Sequence, residues 1–237
     1  LCLSPSLPGD IPLVGVIDVS QITFTLGGLG TLVLVADAIV FLWLMGMMFT
    51  TKFLDGLDGL VAGIVTIGAL VLFMFTTQTQ WLQPEVALLS VMFAGACVGF
   101  LVWNWHPAKV FLGEGGSLFA GYTLGVLAII SGAKIAITFL VMAIPVLDVV
   151  RVIIRRKQRG VSITKGDNEH LHFKLVASGL KQQSAVLLMY AISLCIGLSV
   201  VFLESTQKLY ALIAVLIVML LIGFWFAKKD TNKTVTS

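Results

Sequence analysis

The chain reads as an all-α, polytopic membrane protein with about seven transmembrane helices, and three observations carry that reading. Of its 237 residues 58% are hydrophobic and 11% charged, with a mean hydropathy of +1.04, a composition suited to lipid as solvent. Seven apolar runs reach or approach the roughly 20 residues that a helix needs to cross a bilayer. Thirteen of the 15 basic residues, finally, fall on one side of the membrane only if all seven runs cross.

Taken in order, the runs are Leu29 to Met48, Leu60 to Thr77, Val86 to Trp103, Leu118 to Ile130, Ile135 to Ile154, Ser184 to Leu203 and Leu209 to Ala227. The fourth is the shortest, and the Gly-rich segment before it can lengthen it. With the loop after the fifth run placed in the cytoplasm, thirteen of the 15 Lys and Arg residues lie inside and only Lys134 and Lys208 outside. That split requires the fourth run to cross. Trp81, Trp103, Trp105 and Trp225 suit either interfacial anchoring or packing between helices. Residues 1–237 are thus read as a single integral membrane domain, carrying a cytoplasmic basic and histidine-rich loop at 155–183.

The segment before the first run, Leu1 to Gly28, holds Pro5, Pro8 and Pro12 but neither a basic n-region nor a small-residue cleavage pattern, so it is not expected to act as a signal peptide. It lacks an initiating Met and falls outside, so the chain is expected to be the C-terminal part of a longer protein. Cys97 and Cys195 lie in apolar runs, Cys2 is isolated, and no pair has metal-ligand spacing.

Unusual polar chemistry is confined to three loops on the expected cytoplasmic face. The first contains Lys52-Phe53-Leu54-Asp55-Gly56-Leu57-Asp58-Gly59. If the second helix has already begun there, Asp55 and Asp58 share one face. Two hard carboxylates with glycines beside them suit Mg²⁺, with Mn²⁺ as a substitute; an N-cap followed by a turn would use the same residues. In the second loop, Gly113-Glu114-Gly115-Gly116-Ser117 opens the fourth helix, either as a phosphate cradle or as a packing segment. Glu114 there is a metal ligand, a hydrogen-bond acceptor or a solvated side chain.

The third loop joins a basic cluster, Arg155, Arg156, Lys157 and Arg159, to Lys165, Asp167, His170 and His172. The cluster serves topology, anionic lipid or substrate phosphate. The His-x-His pair, in a chain with one other histidine, His106, points to phosphate or nucleotide binding or to proton transfer. Of the acidic residues only Asp37 and Asp148 lie well inside apolar runs, and Asp148 is read as an ion pair with Arg151, three residues on. A transporter would place its polar groups near the bilayer midplane; this pattern favours a site at the cytoplasmic membrane surface.

Together the three loops resemble the polyprenyl-phosphate N-acetylhexosamine-1-phosphate transferase family, glycosyltransferase family 4. Asp55-Gly56-Leu57-Asp58-Gly59-Leu60 is similar to its Asp-Gly-x-Asp-Gly-Leu motif, Gly113 to Ser117 to its Gly-Asp-x-Gly-Ser motif, and Asp167 to Phe173 to its Asp-x-x-His-x-His-His motif. The resemblance implies about eleven spans in a complete member. It also implies attack of a polyprenyl phosphate on the sugar-bearing phosphate of a UDP-N-acetylhexosamine, releasing UMP. Such a reaction starts a cell-envelope glycan: peptidoglycan, teichoic acid or lipopolysaccharide.

On this resemblance Asp55 and Asp58 are the catalytic, metal-binding residues. Lys52, Gly113, Glu114, Ser117, Arg155, Arg156, Arg159, Lys165, Asp167, His170 and His172 bind substrate. Partners are the UDP-sugar, the prenyl lipid and the membrane, with no nucleic acid and a homodimer as the assembly to test.

Lys52 stands where the family has Asn, Glu114 where it has Asp and Phe173 where it has His, and the family's earlier paired acidic motif is absent from these residues. The chain alone is therefore expected to be inactive. The undecaprenyl-phosphate N-acetylglucosamine 1-phosphate transferase branch is the nearest in pattern. Alternatives are phospho-N-acetylmuramoyl-pentapeptide transfer, a catalytically incomplete homologue and a membrane transporter.

Overall fold

A computed structural model describes residues 23–25, 31–78, 82–132, 135–158, 160 and 170–202, with isolated positions between 207 and 217. It divides into two compact units, Leu1–Trp43 and Leu44–Ser237. In the first unit β1 (Thr23–Thr25) pairs antiparallel with β2 (Thr31–Val33), Phe24 opposite Leu32. Within the apolar run expected from Leu29, Thr31–Val33 is thus strand and not helix: Thr and Val there, like Thr and Phe in β1, favour extended backbone. Helix α1 (Leu34–Leu54) starts later and runs six residues past Met48, so Lys52 lies in its last turn rather than in a loop. Asp37 lies in its first turn.

The second unit is helical: α2 (Leu60–Thr76), α3 (Pro84–Asn104), α4 (Gly113–Ile130), α5 (Ile135–Val141), α6 (Ala143–Gln158), α7 (Leu171–Ala177) and α8 (Gln182–Phe202). Among the described residues four helices, those at Ala36–Leu54, Pro84–Asn104, Gly113–Ile130 and Gln182–Ser199, are long and apolar enough to cross a membrane, with α2 a shorter apolar companion. This is a polytopic all-α membrane protein, apart from the short ladder in its first unit. Helix α4 does absorb the Gly-rich segment. The expected seventh span lies almost entirely outside the described residues.

Helix α2 is the hub, packing against α3, α4, α5 and α8. Thirteen of its 17 residues are buried, whereas on α3 Leu88, Met92 and Val102 face outward at 59%, 61% and 71% exposure. An apolar rim around a buried central helix is what lipid permits. Val71 and Phe75 of α2 meet Ile137, Leu140 and Val141 of α5 and Val201 of α8 in one cluster. Threonines inside the helices satisfy themselves locally: Thr66 Oγ1 donates to the Ala62 carbonyl at 2.7 Å and Thr76 Oγ1 to that of Leu72 at 2.8 Å.

The fifth run is divided at Met142. Pro145 has no N–H to offer Val141, so the ladder is carried by Met142 N–H on Thr138 O (3.0 Å) and Val146 N–H on Met142 O (2.9 Å) before α6 continues. Helices α1 and α4 meet at Gly121, where an added Cβ would stand 2.5 Å from the Met47 carbonyl oxygen. Gly121→Ala is expected to destabilise the purified protein by about 1–3 kcal/mol. Gly95→Ala, with nothing within 4 Å of its Cβ, should leave the melting temperature unchanged or raised.

Candidate active site

The turn between α1 and α2 holds Asp55 to Gly59 outside either helix, which corrects the expectation that the two aspartates share a helical face. Gly59 has φ +79°, left-handed backbone that favours glycine, and so starts α2 without a side-chain cap. Its N–H donates to Asn104 Oδ1 at 3.0 Å, and its carbonyl accepts the Tyr190 hydroxyl. The turn is thereby fixed between the end of α3 and the face of α8. Gly63, one turn on, leaves room for the Tyr190 ring.

The second loop is bound onto this turn. Asp58 Oδ2 accepts from His106 Nδ1 at 2.7 Å and from the Ala108 N–H at 3.2 Å, so Asp58 holds the neighbouring loop and is not an N-cap. Asn104 Nδ2 donates to the Val110 carbonyl at 2.8 Å, and Gln183 Nε2 at the start of α8 donates to the His106 carbonyl at 2.8 Å. Lys52 forms an ion pair with Glu114 on α4. Gly113 has φ +69° with open space around it, while the Ser117 hydroxyl is buried and donates to the Glu114 carbonyl at 3.0 Å within α4's first turn.

The third loop reaches the same turn from α6. Asp148, only 4% exposed, accepts from Arg151 Nη2 at 2.7 Å on one oxygen, and from His170 Nδ1 (3.0 Å) and the Leu171 N–H (2.9 Å) on the other. The expected ion pair is present on Oδ1, and through Oδ2 the same carboxylate also holds the His-x-His segment. The carboxylate can only accept, so His170 carries its proton on Nδ1. Its ring stacks between Phe53 of α1 (5.8 Å) and His172 (5.5 Å, planes 7° apart).

His172 is 1% exposed and its Nε2 is buried without a hydrogen-bond partner. A Cβ on Gly56 would stand 2.6 Å from that nitrogen and 2.5 Å from Phe173 Cζ. Only glycine permits this approach, which brings the first and third loops together beside Asp55.

Asp55 itself is exposed on the turn, yet partial removal of water by the surrounding protein raises its carboxyl above the usual range. Arg155 is half-buried and Arg156 buried near the end of α6. Arg159, Lys165 and Asp167 lie outside the described residues. Among the described residues no group of three or more His, Cys, Asp or Glu side chains assembles into a metal cage. Sequence reasoning gave no role to Asn104, His106, Tyr190 or Gln183. An Asn closing an apolar run, followed by His-Pro, was the available signal.

A model of glycosyl transferase family 4 matches residues 8–132, more than half of the 237-residue chain. The chain belongs to this family. It is 31% identical over 185 residues to a Bacillus subtilis protein named "Probable undecaprenyl-phosphate N-acetylglucosaminyl 1-phosphate transferase", covering 76% of this chain and 51% of that one. It is 34% identical over 197 residues to the decaprenyl-phosphate N-acetylglucosaminephosphotransferase of Mycolicibacterium smegmatis, covering 72% and 48%. It is also 35% identical over 170 residues to the phospho-N-acetylmuramoyl-pentapeptide-transferase of Halalkalibacterium halodurans, covering 70% and 50%. The chain thus spans about half the length of these family members.

Burial first, and then the neighbouring charge of His170, push His172 down to about 4, against a smaller raising effect of Asp148. Between the ordinary histidine value near 6.5 and about 4 the unfolded chain binds the proton and the folded one does not, so stability should fall with falling pH across that window. The slope approaches about 1.4 kcal/mol per pH unit. Melting temperatures measured from pH 7 to 4.5 check this, and His172→Gln should flatten the profile.

Proposed function

We propose that this protein transfers N-acetylhexosamine 1-phosphate, most simply N-acetylglucosamine 1-phosphate, from a UDP-sugar to polyprenyl phosphate, releasing UMP at the cytoplasmic face of the plasma membrane. The observation that carries the reading is the meeting of His172 Nε2, buried and unpartnered, with Gly56 beside the Asp55 carboxyl. A buried acceptor or donor without a partner is costly unless a ligand completes it. Family membership and the names of the relatives support the reaction class.

The residues fit a divalent cation. Mg²⁺ takes only one or two protein carboxylates and keeps waters and phosphate oxygens, so an open Asp55 suffices and no cage is required. When bound, the ion would neutralise charge between the two reacting phosphates. Asp55 would hold it. His172, fixed by Asp148 through the His170 segment, would orient the nucleotide phosphates from the other side, and Lys52 and the α6 arginines would attract them.

Asp55→Asn is expected to abolish Mg²⁺-dependent UMP release in membranes expressing the complete natural gene with UDP-N-acetylglucosamine and undecaprenyl phosphate. Unchanged release would remove Asp55 from the site. Asp148→Asn, which weakens the hold on His170 without emptying the position, should lower turnover on the order of tenfold. A second reading, transfer of phospho-N-acetylmuramoyl-pentapeptide, is supported by the relatives of that name at similar identity. Offering the two UDP-sugars in parallel separates the readings.

A further inference from the structure

We propose that His106 contacts substrate in this site and that Asp58 is the residue that positions it; the inference rests on the transferase reading above. The Asp58 carboxylate accepts from His106 Nδ1 at 2.7 Å, which fixes the proton on that nitrogen. The backbone of the loop is held as well: Ala108 N–H on Asp58 Oδ2 at 3.2 Å, Gln183 on the His106 carbonyl, and Asn104 on both Gly59 and Val110. One hydrogen bond on the ring, one on its own carbonyl and three more along the loop and turn that flank it leave the imidazole little freedom to turn.

An imidazole is rigid and its two nitrogens face different directions. With Nδ1 directed at Asp58, Nε2 presents its lone pair away from the turn, and the side chain is 39% exposed. Bridging two loops needs only Nδ1. An aromatic side chain held by a carboxylate, with its second nitrogen left open, is an arrangement for accepting a hydrogen bond from something that arrives. Its chemical complement is an O–H or N–H donor. Two sources offer one at this place: hydroxyl and amide groups of the nucleotide sugar, and the O–H of a singly ionised lipid phosphate. Asp58 Oδ2 already receives two donors, so its part in this arrangement is to hold His106.

The isosteric variants separate a working ring from a structural bridge. The Asn amide nitrogen lies close to the position of His Nδ1 and keeps the bond to Asp58, whereas a Gln side chain extends to the position of Nε2. His106→Asn, His106→Gln and wild type, expressed from the complete natural gene and held in lipid nanodiscs, would be compared in three ways. These are the Kd for UDP-N-acetylglucosamine with Mg²⁺, the KM for undecaprenyl phosphate, and the melting temperature.

For His106→Asn we expect a melting temperature within about 2 °C of wild type. We expect a roughly tenfold loss in one binding arm, the size of one hydrogen bond. Loss in the Kd assigns the donor to the nucleotide sugar, and loss in the KM alone assigns it to the lipid phosphate. Wild-type values in both arms overturn the proposal. If His106→Asn does not fold, His106→Gln decides: retained affinity supports the proposal, and affinity lost in step with stability overturns it. Should Asp55→Asn abolish transfer while His106→Asn binds normally, the inference fails alone. A wild type without UDP-sugar binding or UMP release removes the transferase reading and this inference with it.

Discussion

A carboxylate buried among apolar helices must be met by donors from the protein, because lipid offers none. Asp148 is met by three: the Arg151 guanidinium, the His170 ring and the Leu171 N–H. The rest of the site follows from that requirement. The His170 bond and the Leu171 N–H dock the start of α7 against α6. His170 then stacks on Phe53 and His172, and His172 is delivered to Gly56. A negative charge on one helix thus sets the position of a His-x-His segment that begins 22 residues later.

The opposite side of the turn obeys the same logic with backbone groups. The N–H of Gly59 has no helical partner, since the residue stands before the first turn of α2 in left-handed backbone, and its carbonyl, which takes the Gly63 N–H at 3.1 Å, has a second lone pair to fill. Asn104 and Tyr190 supply what is missing. Because Asp58 then ties the His106 loop to the same turn, two of the three polar loops share a single anchor, and its glycines permit the third to close on it. Side-chain-free positions at Gly56, Gly59 and Gly63 are what allow three chain segments to meet within so little space.

The membrane class, the helix order and the three polar loops were legible from apolar run length and from glycine and carboxylate spacing, since those signals are local. What was not legible is long-range. Asp148 and Arg151 at i and i+3 announce themselves as a pair, but nothing in their spacing names His170 as a further partner. Likewise Asp58 looked equivalent to Asp55, and only the fold shows one carboxylate bound to the His106 loop and the other left open. The division at Met142 was hidden because a proline in the first turn of a helix leaves apolar periodicity intact. The ladder of β1 and β2 was missed for a similar reason: β2 (Thr31–Val33) lies inside the run read from Leu29 to Met48, and apolarity alone does not separate strand from helix.

In the function proposed above, one divalent cation held at Asp55 would lie within reach of both the first loop and the His-x-His segment. Replacing Mg²⁺ by Fe²⁺ in the membrane-embedded protein and adding ascorbate and peroxide cuts backbone close to the bound ion. The account expects two sets of cuts from one site, at Asp55 to Gly59 and at His170 to Phe173, both suppressed by excess Mg²⁺. Cutting confined to one of those segments, or cuts that Mg²⁺ does not suppress, would contradict it.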